Sequence, residues 1–127
     1  MIDIEHVWAP QIFWYCDLIA DRTKLISAFN QGDEKIWTSV VSYDELICQI
    51  FDDLRSLDQI SILKSSRLPP DLRVAIEKFV LALNAFDEGR KIFFESDLET
   101  IAWHAVERTA TDALVAAKIW KADAQTH

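Results

Sequence analysis

The chain has 127 residues, with 13 basic and 21 acidic side chains, a formal net charge of −8 and 50% hydrophobic content. That length points to one domain. The apolar content argues against a disordered acidic tail, and the excess of acid argues against a nucleic-acid binder, which needs clustered Lys and Arg to neutralise phosphates.

With only 2 Gly and 3 Pro, a sandwich or barrel with many tight turns is disfavoured, and the apolar period is helical almost throughout. A first helix is expected to start near Pro10, a residue suited to the first helical position. Ile12, Tyr15, Cys16, Ile19, Ile26 and Phe29 fall on one side of it, and Asp17, Asp21 and Lys24 largely on another. It should end by Asn30-Gln31-Gly32, since Gly supplies a left-handed cap. The β-branched run Ile36 to Val41 reads either as a short strand or as an extended connection.

A second helix opens on the capping box Ser42-Tyr43-Asp44-Glu45, in which serine and glutamate side chains each take a backbone N–H of the other's residue. Leu46, Ile47, Ile50, Phe51 and Leu54 form its apolar stripe, and it is expected to run to about Ser56. Leu57 to Leu63 is left open, a further turn being one reading. Ser65-Ser66-Arg67-Leu68-Pro69-Pro70 reads as a loop, because proline biases its predecessor away from helix. A third helix starts at Pro70 or Asp71, carries Leu72, Ala75, Ile76, Phe79, Val80, Leu83 and Phe86 inward, and stops at Gly89. After a short link, a second capping box, Ser96-Asp97-Leu98-Glu99, should open the last helix. Its expected stripe is Leu98, Ile101, Ala102, Ala105, Val106, Ala113, Leu114, Ala117 and Trp120, and its alanines place it centrally. The expected fold is all-α: one domain over residues 1–127, a compact bundle of about four main helices, with residues 36–41 as the one candidate extended segment.

Cys16 and Cys48 belong to no Cys-x-x-Cys pair and read as buried free thiols, with their pairing left open. The acidic start Met1-Ile2-Asp3-Ile4-Glu5 lacks the basic region of a secretory signal, and no apolar run is long enough for a membrane span. A cytoplasmic location and no membrane partner are expected.

Chemistry has little support. None of His6, His104 and His127 follows a Glu by three residues, as a helical di-metal site requires, and no spaced Cys/His set suggests zinc. No Gly-x-Ser-x-Gly occurs, and the isolated Gly32 and Gly89 cannot build a phosphate loop. No metal, no cofactor and no enzymatic activity are expected, unless a pocket unites His104 with acids of the second helix.

The charge is unevenly spread. Residues 1–63 hold 11 acidic and 4 basic side chains, a net −7; residues 64–127 hold 10 and 9, a net −1. Glu45, Gln49, Asp52 and Asp53 lie opposite the Leu46-Ile50-Leu54 stripe, as an acidic outer strip. Asp44 and Glu45 suit a helix start, whereas Asp52 and Asp53 sit where the helix dipole disfavours anions. Asp33, Glu34 and Trp37 precede the strip. A solvated face is one reading. The other is a binding strip, in which charge steers encounter and an aromatic anchors contact.

On that second reading, the size, helical build and localised acid at Glu45, Asp52 and Asp53 resemble those of small bacterial immunity proteins of colicin-type or contact-dependent inhibition systems. The Tyr-Tyr-Pro turn of the colicin nuclease immunity proteins is missing here. The resemblance implies a protein that occludes the basic surface of a nuclease-type toxin, with Glu34, Trp37, Glu45, Asp52 and Asp53 as partner-binding residues. The alternative is a helical homodimer, adaptor or regulator without a toxin partner, using exposed aromatics such as Trp14 or Trp120.

Overall fold

The computed structural model describes residues 3–31, 43–88 and 95–125. Among these residues there is no strand, and the fold is all-α. The run Ile36 to Val41, with Glu34 and Trp37, lies outside the described residues. Six α-helices are described: α1 (Ala9–Ala20), α2 (Arg22–Gln31), α3 (Tyr43–Ile47), α4 (Ser56–Leu63), α5 (Pro70–Glu88) and α6 (Ile101–Gln125). The expected count of about four main helices is therefore too low, because the first is broken in two and residues 57–63 form a helix of their own.

The first break is at Asp21. Its backbone is extended (φ −107°, ψ 99°), and its carboxylate accepts the Lys24 N–H at 3.2 Å. That bond caps a new helix. Upstream, Ile4–Trp8 forms a π-helical turn capped by Asp3, whose side chain accepts the N–H groups of Glu5 and His6 at 3.0 Å.

The second expected helix ends close to Ser56, but not as a regular α-helix. After α3 the chain widens into a π-helical turn, Cys48–Asp53, closed by Leu54 N–H to Gln49 C=O at 3.0 Å. Arg55 then takes a left-handed conformation (φ 53°, ψ 45°), and α4 begins at Ser56. Residues 57–63 are thus a helix in their own right. The fully buried Ser56 hydroxyl donates to the Ile50 carbonyl at 2.6 Å, satisfying one of the acceptors that a helix end leaves open. Ser56→Ala is expected to cost about 1–3 kcal/mol, the penalty of a buried carbonyl losing its donor. A urea midpoint lowered at unchanged slope would report it; an unshifted midpoint would show that the bond contributes nothing net.

α5 starts at Pro70 as expected, and Leu72, Ile76, Phe79, Val80, Leu83 and Phe86 are buried. α6 departs from expectation. Glu95–Glu99 is a separate 3₁₀ turn, and Thr100, whose hydroxyl accepts the Trp103 N–H at 3.2 Å, caps the helix in place of Ser96. The inward stripe of α6 is Trp103, Val106, Ala110, Ala113 and Ala117, while Ile101, Ala102 and Ala105 face out. Leu98 is buried in the 3₁₀ turn, and Leu114 and Trp120 are half-buried.

The core lies where α6 packs against both α1 and α5. Ile12, Cys16 and Ile19 of α1 and Ile76, Phe79 and Leu83 of α5 are fully buried there, and the three inward alanines of α6 let neighbouring helices come close. α4 packs on α5, and the N-terminal π turn on α1. Among the described residues, no helix is long and apolar enough to cross a membrane.

Candidate functional site

The helix bearing the acidic strip is clamped from two sides. Tyr43, at its start, donates its hydroxyl to Asp87 of α5 at 2.8 Å, and its ring meets Phe86 edge-on at 6.1 Å. Tyr15 of α1 donates to Gln49 Oε1 at 2.7 Å, and Gln49 Nε2 donates to Glu45 at 3.4 Å. Leu46, Ile50 and Leu54 are buried beneath, as the apolar period predicts. Burial first, then the charges of Asp53 and Glu45, raise the Tyr15 pKa above its ordinary value. This tyrosine therefore stays neutral and holds its proton for Gln49.

The clamp fixes which side chains face out. Asp44, Cys48, Asp52 and Asp53 are exposed, while Glu45 and Gln49 are half-buried under Tyr15. Of the residues singled out from sequence, Asp52 and Asp53 stand on the outer line and Glu45 on its flank. Glu34 and Trp37 lie outside the described residues. Asp44 was assigned to the helix dipole alone, yet it belongs to the exposed line. Trp14, the residue before the tyrosine that holds Gln49, is 48% exposed, and its ring meets that of Tyr15 edge-on at 5.0 Å. Only the spacing Trp14-Tyr15 hinted at this, since Tyr15 on the core side leaves its neighbour outward.

No ion pair among the described residues engages Asp44, Asp52 or Asp53. Asp52 and Asp53 also close a helix whose last carbonyls repel them. Their negative charge raises the neighbouring Cys48 thiol as well: loss of solvation comes first, then the carboxylate of Asp52, with Asp44 and Asp53 adding to it. Both cysteines are free. Cys16 is buried, as expected; Cys48 is exposed, contrary to expectation, because it lies opposite the buried Leu46 and Ile50, on the line of Asp44 and Asp52.

A second polar cluster joins distant parts of the chain. Arg22, at the start of α2, donates to Glu99 at 2.7 Å, to the Leu98 carbonyl at 3.0 Å and to Glu107 at 2.9 Å, and contacts His104 Nε2 at 2.9 Å. A guanidinium only donates, so this His104 nitrogen must offer its lone pair. Arg22 Nη2 alone faces three acceptors with two hydrogens, so the bonds are shared. Hydrogen bonding to Glu107, followed by the charges of Glu107 and Glu99, raises the Arg22 pKa further. His104 thus meets Arg22, and none of its hydrogen bonds among the described residues goes to Glu45, Asp52 or Asp53. The cluster ties α2 to α6.

A shallow open depression of about 290 Å³ lies between the N-terminal turn and the loop before α5, lined by Asp3, Glu5, His6, Ser65, Ser66 and Arg67 among others. Glu5 accepts the Arg67 N–H there at 2.7 Å. Among the described residues, no group of three or more His, Cys, Asp or Glu side chains is placed to hold a metal ion. The chain matches no protein-family model, no curated protein and no solved structure.

Proposed function

We propose that this chain is a binding protein, not an enzyme, and that it neutralises a cationic protein partner through the strip Asp44, Glu45, Asp52 and Asp53 with Trp14 at its flank. The observation that carries this reading is the exposure of Asp52 and Asp53 with no described cation against them, at a helix end that disfavours them. Local stability does not account for carboxylates in that position; a partner's cations do. Trp14, exposed next to the tyrosine that holds Gln49, supplies the aromatic anchor that protein interfaces pair with a steering field.

The finer reading is an immunity protein that occludes the basic surface of a nuclease-type toxin domain in the cytoplasm. Size, helical build and localised acid support it. A nuclease binds a polyanion with clustered Lys and Arg, and an acidic helix face can cover the same cations.

The test is titration of a toxin domain encoded beside the gene, at two salt concentrations. Wild-type binding should weaken as salt rises. The triple change Glu45→Lys, Asp52→Lys, Asp53→Lys should weaken binding roughly a hundredfold or more, since rim attraction becomes repulsion at three positions. Binding unaffected by the reversals would remove this mechanism, and so would binding indifferent to salt.

A further inference from the structure

We infer that the outer face of α6 pairs with the same face of a second copy of this chain, antiparallel about a two-fold axis level with Ala110. This rests on α6 alone and not on the acidic strip.

The face consists of Ile101, Ala105, Arg108, Asp112, Val115 and Ile119, all exposed. Ile101 is 88% exposed, Val115 52% and Ile119 59%. At 3.6 residues per turn these six fall within a narrow band, and Ile101 and Ile119 lie on one line about 27 Å apart. They cannot serve the core, because the opposite band, from Trp103 to Ala117, already fills it. Apolar residues at both ends of one face, with opposite charges at its centre, suit a helix that packs on another helix.

The order of residues selects the occupant. Turned about an axis level with Ala110, Ile101 meets Ile119 of the second copy, Ala105 meets Val115, and Arg108 meets Asp112. Each pairing occurs twice, as an isologous contact requires. Small opposes large at the Ala105–Val115 positions, and the four central charges alternate in sign around the axis. In the parallel arrangement Arg108 would face Arg108 and Asp112 would face Asp112. No ion pair among the described residues engages Arg108 or Asp112, so both are available for the second copy. The wider charge pattern agrees. Residues 101–121 carry two acids and three bases, so two α6 faces can approach without the repulsion that the −7 half would impose.

Sedimentation equilibrium of the full chain, from about 1 μM to about 1 mM, reads the association directly. The wild type should pass from monomer to dimer across that range. Arg108→Asp alone and Asp112→Arg alone each place like charges twice across the axis, and each should weaken the dimer at least about tenfold. Mixing the two single variants restores both opposite-charge contacts, and the mixture should form a heterodimer near wild-type strength. The double variant Arg108→Asp, Asp112→Arg should self-associate again. These side chains are exposed, so the helical circular dichroism should not change. A wild-type monomer at every concentration overturns the inference. So does a dimer indifferent to the single reversals, or a mixture that fails to restore association.

Discussion

Replacing Trp103 with alanine is expected to lower the unfolding free energy by about 3–5 kcal/mol, the range for deleting a large buried aromatic. Trp103 is fully buried, and its ring meets Phe86 edge-on with centroids 5.0 Å apart at 63°. Phe86 in turn meets Tyr43. The indole therefore joins α6 to α5 and, through one more ring, to the start of the helix that carries the acids. Such edge-on pairs add to the area they bury. A domain of this size has a total stability on the order of 5–15 kcal/mol, so the variant stands near unfolding at room temperature. Trp103→Phe keeps an edge toward Phe86 and should lose much less. Chemical denaturation followed by circular dichroism measures both. A loss below about 1 kcal/mol for the alanine variant would contradict the packing described.

The second large effect is overpacking. Ala113→Leu is expected to cost about 1–3 kcal/mol, because a buried alanine at a helix contact leaves no room for three more carbons. Ala113 is fully buried on the face of α6 that meets α1 and α5. Ala105→Leu, two turns earlier and exposed, should stay within about 0.5 kcal/mol of wild type when measured at low concentration. The pair tests the phase of α6 directly, since the apolar period alone assigns both alanines to the core. Equal costs at the two positions would rotate the helix away from the arrangement described.

That phase marks the limit of what the amino-acid pattern tells. α5 was legible because Pro69-Pro70 fixes its start and its apolar residues form one stripe. α6 is apolar on two sides, so Ile101, Ala102 and Ala105 fit the expected stripe as well as Trp103 and Ala110 fit the observed one. The sequence offered Ser96 as the cap, whereas the structure starts the helix one turn later with Thr100 as the cap and Trp103 fully buried. The break at Asp21 was also hidden. No Gly or Pro marks it, and the bond from the Lys24 N–H to the Asp21 carboxylate is visible only in the structure. The turn at Arg55 left no trace, since a left-handed arginine is uncommon.

For the candidate site, the acidic line was legible from its spacing against Leu46, Ile50 and Leu54. Its aromatic neighbour was not. Trp14 is some thirty residues earlier in the chain, and only the bond from its neighbour Tyr15 to Gln49 links that part of α1 to the strip. Glu45 is half-buried and accepts from Gln49, so the exposed Asp44 takes the outer place that spacing gave to Glu45. The outward Cys48 follows from its place opposite Leu46 and Ile50, so the same spacing that marks the acidic line also turns this thiol out.

The hub at Arg22 has a consequence for the pace of encounter. Residues 1–63 contain four bases, of which Arg22, Lys24 and Arg55 are described. Arg22 is engaged by Glu99 and Glu107 in the other half of the chain, Lys24 by Asp17 and Arg55 by Asp58. None of the three is left to damp the field above Asp44, Asp52 and Asp53. That field reaches solvent over a Debye length, about 8–10 Å at physiological salt. On the proposed function, a cationic partner is drawn in before any contact forms, and its rate of capture climbs as the salt is diluted.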